Sequence, residues 1–159
     1  MIRKMAILVL VLGVVGVVLG GVFVWQGIAK NNLIVDRMKI EKVALAVDPN
    51  NPQQLTQITS AADAQKAADT IAGHRRAISP SYQTLLGSGR FDPTNPQHLT
   101  YAQAINPENY LYLAVMAFGL TQVVMGSGAY MIVVGLAVLL TGLALYRLGG
   151  GKVLAKEIK

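Results

Sequence analysis

Apolar positions dominate two stretches of the chain and thin out between them. Residues 5–25, MAILVLVLGVVGVVLGGVFVW, carry no charged side chain. About 20 apolar residues suffice for a helix to cross the hydrocarbon core of a bilayer. Arg3 and Lys4 precede this run and Trp25 closes it, where indole rings favour the membrane interface. The run is longer than the apolar core of a cleaved signal peptide, so an uncleaved signal anchor is expected.

The second stretch, from Leu111 to Tyr146, is also uncharged, and Arg147 ends it. As one helix it would measure roughly 54 Å, against a hydrocarbon core of about 30 Å. Two arrangements satisfy this. A single long helix can start outside the membrane and span only at about 123–146. Alternatively, Gly126-Ser127-Gly128 can turn between two short spans. The first arm of that hairpin would be short and would contain Thr121 and Gln122, so one long helix is expected.

Charge placement orients the chain. The two tails carry six basic side chains and one acidic, whereas residues 26–110 carry eight and seven. Basic flanks stay cytoplasmic. Two spans put both tails there and the central segment outside. The formal charge of +6 therefore reports orientation and gives no reason to expect a nucleic-acid partner.

The expected fold class is an all-α integral membrane protein, with two long transmembrane helices and a small helical extracytoplasmic domain between them. The boundaries are a basic N-terminus at 1–4, a span at 5–26, the outer domain at 27–106, a long helix at 107–147 and a basic tail at 148–159. Residues 26–45 can continue the first helix, although the alternation Met38-Lys39-Ile40-Glu41 also suits a strand. Thr59 or Ser60 can cap a helix through AADAQKAADTIAGHRRAI, whose small residues Ala61, Ala64, Ala68, Ile71 and Ala72 suit close packing. Ser79-Pro80 starts a short turn that Gly87-Ser88-Gly89 ends.

A short repeat stands out. DPNNPQQLT at 48–56 matches DPTNPQHLT at 92–100, differing only at Asn50/Thr94 and Gln54/His98. Asn before Pro opens helices, with Pro at the first helical position. Asn51-Pro52, Asn95-Pro96 and Asn106-Pro107 therefore read as three helix starts. A cation site built from Asp48, Asp92 and the asparagine carbonyls is the other reading, but calcium loops supply several acidic ligands at closer spacing.

Glycine has a period. Gly13, Gly20 and Gly27 recur every seventh residue, with Gly16 and Gly20 forming a GxxxG. In the second helix Thr121, Gly128, Gly135, Gly142 and Gly149 keep the same spacing. Such spacing aligns one face of a left-handed helix pair, and small residues let backbones approach in lipid. Gly13, Gly16, Gly20, Gly27, Gly128, Gly135 and Gly142 are thus the expected packing positions, within one chain or between chains. The segment 111–120 is apolar nearly all round and would stand partly outside the bilayer, so something must cover it.

Catalytic chemistry is sparse. The chain has no cysteine and only His74 and His98 as histidines. HExxH, GxSxG and P-loop patterns are absent, and the glycine clusters at 87–89 and 149–151 lack the Lys-Ser/Thr of a phosphate cradle. No catalytic residue, metal ligand or cofactor is expected. Neither span contains the ionisable groups of a pump or proton relay. His74-Arg75-Arg76 is the one cluster suited to an anion, such as a lipid phosphate or a glycan.

Several pieces together resemble a loosely defined group of small bacterial two-span membrane proteins. They are the glycine-rich first span, Ala68-x-x-Ile71-x-x-His74, Ser81-Tyr82-Gln83-Thr84-Leu85, and the segment from Ala117-Phe118-Gly119 to Val124-Met125-Gly126. The resemblance implies a bacterial cytoplasmic membrane and a topology, but no mechanism. Members are sometimes labelled aromatic ring-opening dioxygenases; an iron site here would have to rest on His74 and His98. The expected partners are membrane lipids and either further copies of the chain or the subunits of a larger respiratory, photosynthetic or transport complex.

Overall fold

The computed structural model describes residues 2–48 and 51–157; the side chains of 44–54 and 150–157 lie outside the description. Helix α1 runs Ile2–Ile40, strands β1 and β2 run Ala44–Asp48 and Asn51–Gln57, and helices α2, α3 and α4 run Ala61–Ile78, Tyr82–Leu86 and Pro96–Glu157. The chain divides into two compact units, one of residues 1–30 with 121–159 and the other of residues 31–120.

In the first unit, α1 and α4 run antiparallel. Both helices are long and apolar enough to cross a membrane, and only 11% of the most apolar window of each is buried. A soluble core helix would be mostly covered. Here Leu8, Leu12, Val18, Val133 and Leu140 stand exposed. No turn occurs at Gly126-Ser127-Gly128, where α4 is continuous helix.

The second unit has a core of its own. Ile58 and α2's Ala64, Ala67 and Ala68 bury against Leu111, Ala114 and Phe118 of α4. Ile34, Val35 and Met38 of α1 pack onto this cluster. Small side chains on α2 let it lie close to the larger α4 residues, so a short segment still builds a core.

One open alternative closes and two local expectations change. Residues Met38–Glu41 do not form a strand. Helix α1 runs through Ile40 and closes with Lys42 N–H bonded to Lys39 O (3.1 Å) and Val43 N–H to Met38 O (3.0 Å). This is the double hydrogen-bond closure usually built around glycine, and here Lys42 takes the left-handed conformation with φ 52°. Asn51-Pro52 does not start a helix. Asn51 pairs with Asp48 and opens β2, in an antiparallel hairpin with Ala44 opposite Gln57 and Ala46 opposite Leu55. A two-stranded sheet has only edge strands, so the N–H that Pro52 lacks is tolerated. Pro49 and Asn50 of the repeat lie outside the described residues.

The long helix begins at Pro96, not Pro107. Asn95 Oδ1 accepts from Gln97 N–H at 2.9 Å, and Leu99 N–H closes on Asn95 O at 3.0 Å, which makes Asn95 the cap. Pro107 lies inside the helix. It removes one backbone hydrogen bond there, but just beyond it Glu108 is paired with Arg75 and Leu111 is buried in the core, and the helix continues.

Candidate functional site: the glycine seam and the Arg75 clamp

The glycine periods meet in the first unit. A Cβ on Gly20 would lie 2.6 Å from Gly128 O and 2.9 Å from Ile132 N. A Cβ on Gly13 would lie 2.8 Å from Leu139 N and 2.9 Å from Gly135 O, and one on Gly135 would lie 2.7 Å from Val17 N. Gly16 faces the Gly135 Cα at 3.3 Å, Gly27 faces Met125 and Thr121, and Gly142 faces Leu10. All seven expected packing glycines therefore line one seam within a single chain. Ala6, also buried, extends the period on α1. Gly21 and Gly126, off this face, have nothing within 4 Å of an added Cβ.

Bare backbones in contact place Cα–H groups against carbonyl oxygens, a weak attraction repeated along helix interfaces. At one end of the pair the Arg3 guanidinium lies 5.3 Å from the centre of the Tyr146 ring, and Gly149 approaches Ile2 and Arg3. The antiparallel pairing thus brings Arg3 and Arg147 to the same end.

In the second unit, the suggested anion cluster is split. Arg75 Nε donates to Glu108 Oε2 at 2.6 Å and a second guanidinium nitrogen donates to Oε1 at 3.0 Å. A third nitrogen donates to the Tyr101 hydroxyl, and the guanidinium carbon sits 4.8 Å from the Tyr101 ring centre. The two charged side chains are only 13% and 10% exposed. The hydrogen bond to Glu108 pushes the Arg75 pKa above its ordinary value, because charge is favoured beside a bidentate carboxylate. This guanidinium is committed inside the chain. His74 and Arg76 remain exposed.

A second α2–α4 tie lies nearby: Tyr112 OH donates to Asp69 Oδ1 at 2.8 Å, which raises the phenol's pKa. Tyr82 of α3 tilts against Tyr101 with ring centres 6.2 Å apart. Nothing in the spacing of these residues announced the clamp, since Arg75 and Glu108 sit on different helices.

The remaining candidates have local roles. His98 Nδ1 accepts from Asp92 N–H at 3.0 Å and its ring stacks on Phe91, 5.8 Å between centres. Asp92 Oδ1 accepts from Thr94 N–H and Oγ1 at 2.8 and 2.6 Å, and these bonds lower its pKa. Asp92 therefore orders the turn before α4. Asp48, the other half of the cation reading, has a side chain outside the description. No group of His, Cys, Asp or Glu suited to a metal ion occurs among the described residues.

Two adjoining pockets open on the second unit. One, of about 340 Å³, is lined by Met38, Val43, Ile71, His74, Pro107 and Leu111 among others. The other, of about 420 Å³, includes Leu33, Arg37 and Leu113, and shares Met38 and Tyr110 with the first. Comparison of the chain with protein families, curated proteins and solved structures finds no match.

Proposed function

We propose that the chain is a non-enzymatic integral membrane protein that works by assembly with further copies of itself. The glycine seam makes a self-sufficient anchor, two spans with both basic ends in the cytoplasm. The cap formed by residues 31–120 stands outside.

The observation that carries this reading is a ridge on α4. Leu113, Met116 and Leu120 are 59%, 70% and 66% exposed, on a helix whose opposite side is buried under α2. In the other unit α4 also exposes Val123, Tyr130, Val133 and Leu140. The uncharged stretch 111–146 amounts to about 54 Å of helix at 1.5 Å per residue, and a hydrocarbon core covers about 30 Å. The excess needs a protein cover, and large exposed apolar patches mark such interfaces. With the glycines already engaged within the chain, the ridge is the surface left for a second copy.

Native mass measurement of the untagged protein in mild detergent tests this. Homomeric particles that fall to monomers in Met116→Glu support it. A wild-type monomer without partners overturns it. Unrelated subunits travelling with the protein would instead make it an accessory subunit of a larger complex.

A further inference from the structure

The two adjoining pockets of the second unit have a composition that selects a ligand. Apolar side chains make up most of their walls: Met38, Val43, Ile71 and Leu111 in one, Leu33 and Leu113 in the other. Their volumes, about 340 and 420 Å³, lie in the range of sites that hold small molecules. Met38 and Tyr110 belong to both, so the two pockets are neighbours that share a wall. A flexible hydrocarbon chain can follow two adjoining apolar pockets past a shared wall, where a compact ring system cannot.

The polar groups are as informative. Arg37 lines one pocket and His74 the other, and no carboxylate lines either. Arg37 presents a planar donor fork that matches carboxylate and phosphate. Apolar walls whose polar positions are Arg37, His74 and the hydroxyl-bearing Thr70 and Tyr110, with no acid, complement an anionic head on a hydrocarbon tail. A cationic amphiphile would meet only repulsion, and a neutral one would leave the Arg37 fork unused.

The geometry points to a binding site for a single-chain anionic amphiphile, with its tail along Met38, Ile71 and Leu111 and its head at Arg37. Thr70, whose hydroxyl bonds back to Lys66 O, is an exposed residue of the first pocket's lining. The site shares Leu113 with the proposed assembly ridge, but Thr70 is no part of the ridge and Met116 lines neither pocket, so each variant tests one of the two.

The test uses the full-length protein in phosphatidylcholine nanodiscs. The probe is a sixteen-carbon fatty acid carrying a mid-chain diazirine, with cross-links mapped by mass spectrometry. Labels are expected at Met38, Ile71 or Leu111, and should fall at least tenfold in Thr70→Phe, which fills the pocket from its exposed side. Arg37→Glu should also lower labelling by the acid. Competition by unlabelled fatty acid and by lysophosphatidylglycerol distinguishes a free carboxylate from a lipid phosphate, and either competitor supports the site. Labels confined to residues 5–26 and 123–146 would overturn it, as would pocket labelling that Thr70→Phe leaves unchanged. Equal labelling by the matching long-chain alcohol would overturn the anionic head.

Discussion

Gly20 and Gly128 exclude each other's side chains. A Cβ on Gly20 would stand 2.6 Å from the carbonyl oxygen of Gly128, and a Cβ on Gly128 would stand 2.7 Å from the carbonyl oxygen of Gly20. Both obstacles are backbone, which cannot rotate away. Gly20→Ala and Gly128→Ala should each destabilise the pair by about 1–3 kcal/mol, the usual cost of overpacking. Gly21→Ala and Gly126→Ala meet open space and should be neutral or stabilising by up to about 1 kcal/mol through helix propensity. Unfolding in mild detergent, followed by circular dichroism, separates the two classes.

The Arg75–Glu108 pair is bidentate and mostly buried, so losing one member strands the other. Arg75→Ala or Glu108→Ala should each cost about 3 kcal/mol, and the double variant should cost less than their sum. Arg75→Lys should rescue poorly, because an ammonium cannot reproduce the fork. A double-mutant cycle on thermal unfolding measures the coupling, and additivity would mean the pair contributes nothing specific.

Asp63 closes the start of α2. Its carboxylate accepts from Ser60 Oγ at 2.8 Å, while its own N–H donates back to Ser60 Oγ at 3.2 Å. The bond from Ser60, with those from Thr59, holds its pKa below the ordinary carboxylate value. A lowered folded pKa means that the carboxylate stabilises the fold above the unfolded value, about 3.9. That contribution is lost as pH falls through the lower folded value. Asp63→Asn should therefore be less stable than the wild type near pH 6, and the gap should close in acid. Ser60→Ala should cost about 1 kcal/mol. Denaturant midpoints across pH 2–6 give both answers.

Lys42 occupies the left-handed position at the end of α1. A side chain there costs about 1 kcal/mol relative to glycine. Lys42→Gly should stabilise the fold by up to about 1 kcal/mol, offset in part by the looser unfolded chain. Thermal unfolding of the variant checks the sign.

The sequence makes the helix pair legible because seven-residue glycine spacing is a one-dimensional record of a face. It could not say which partner that face met. The Asn-Pro pairs show where local reading fails. Asn95-Pro96 opens a helix, Asn51-Pro52 opens a strand, and Asn106-Pro107 lies in mid-helix. The same two residues accept all three environments, and packing decides among them. The end of α1 was obscure for a related reason, since Lys42 stands where glycine would have marked the stop. Arg75 was legible as a cation near the end of α2, but its partner lies 33 residues on, beyond any helical period.

The seam also fixes a register. Gly13 meets Gly135, Gly20 meets Gly128 and Gly27 meets Thr121, so each glycine of the seven-residue period on α1 has a small residue opposite it on α4. A slide of one residue would drive side chains into backbone. The next position that returns small residues to one another lies a full seven-residue step away, about 10 Å along the axis. The two helices therefore behave as a notched ruler rather than a telescoping pair. In a bilayer thicker or thinner than the pair prefers, they would have to tilt together or deform the lipid, because sliding to fit is closed to them.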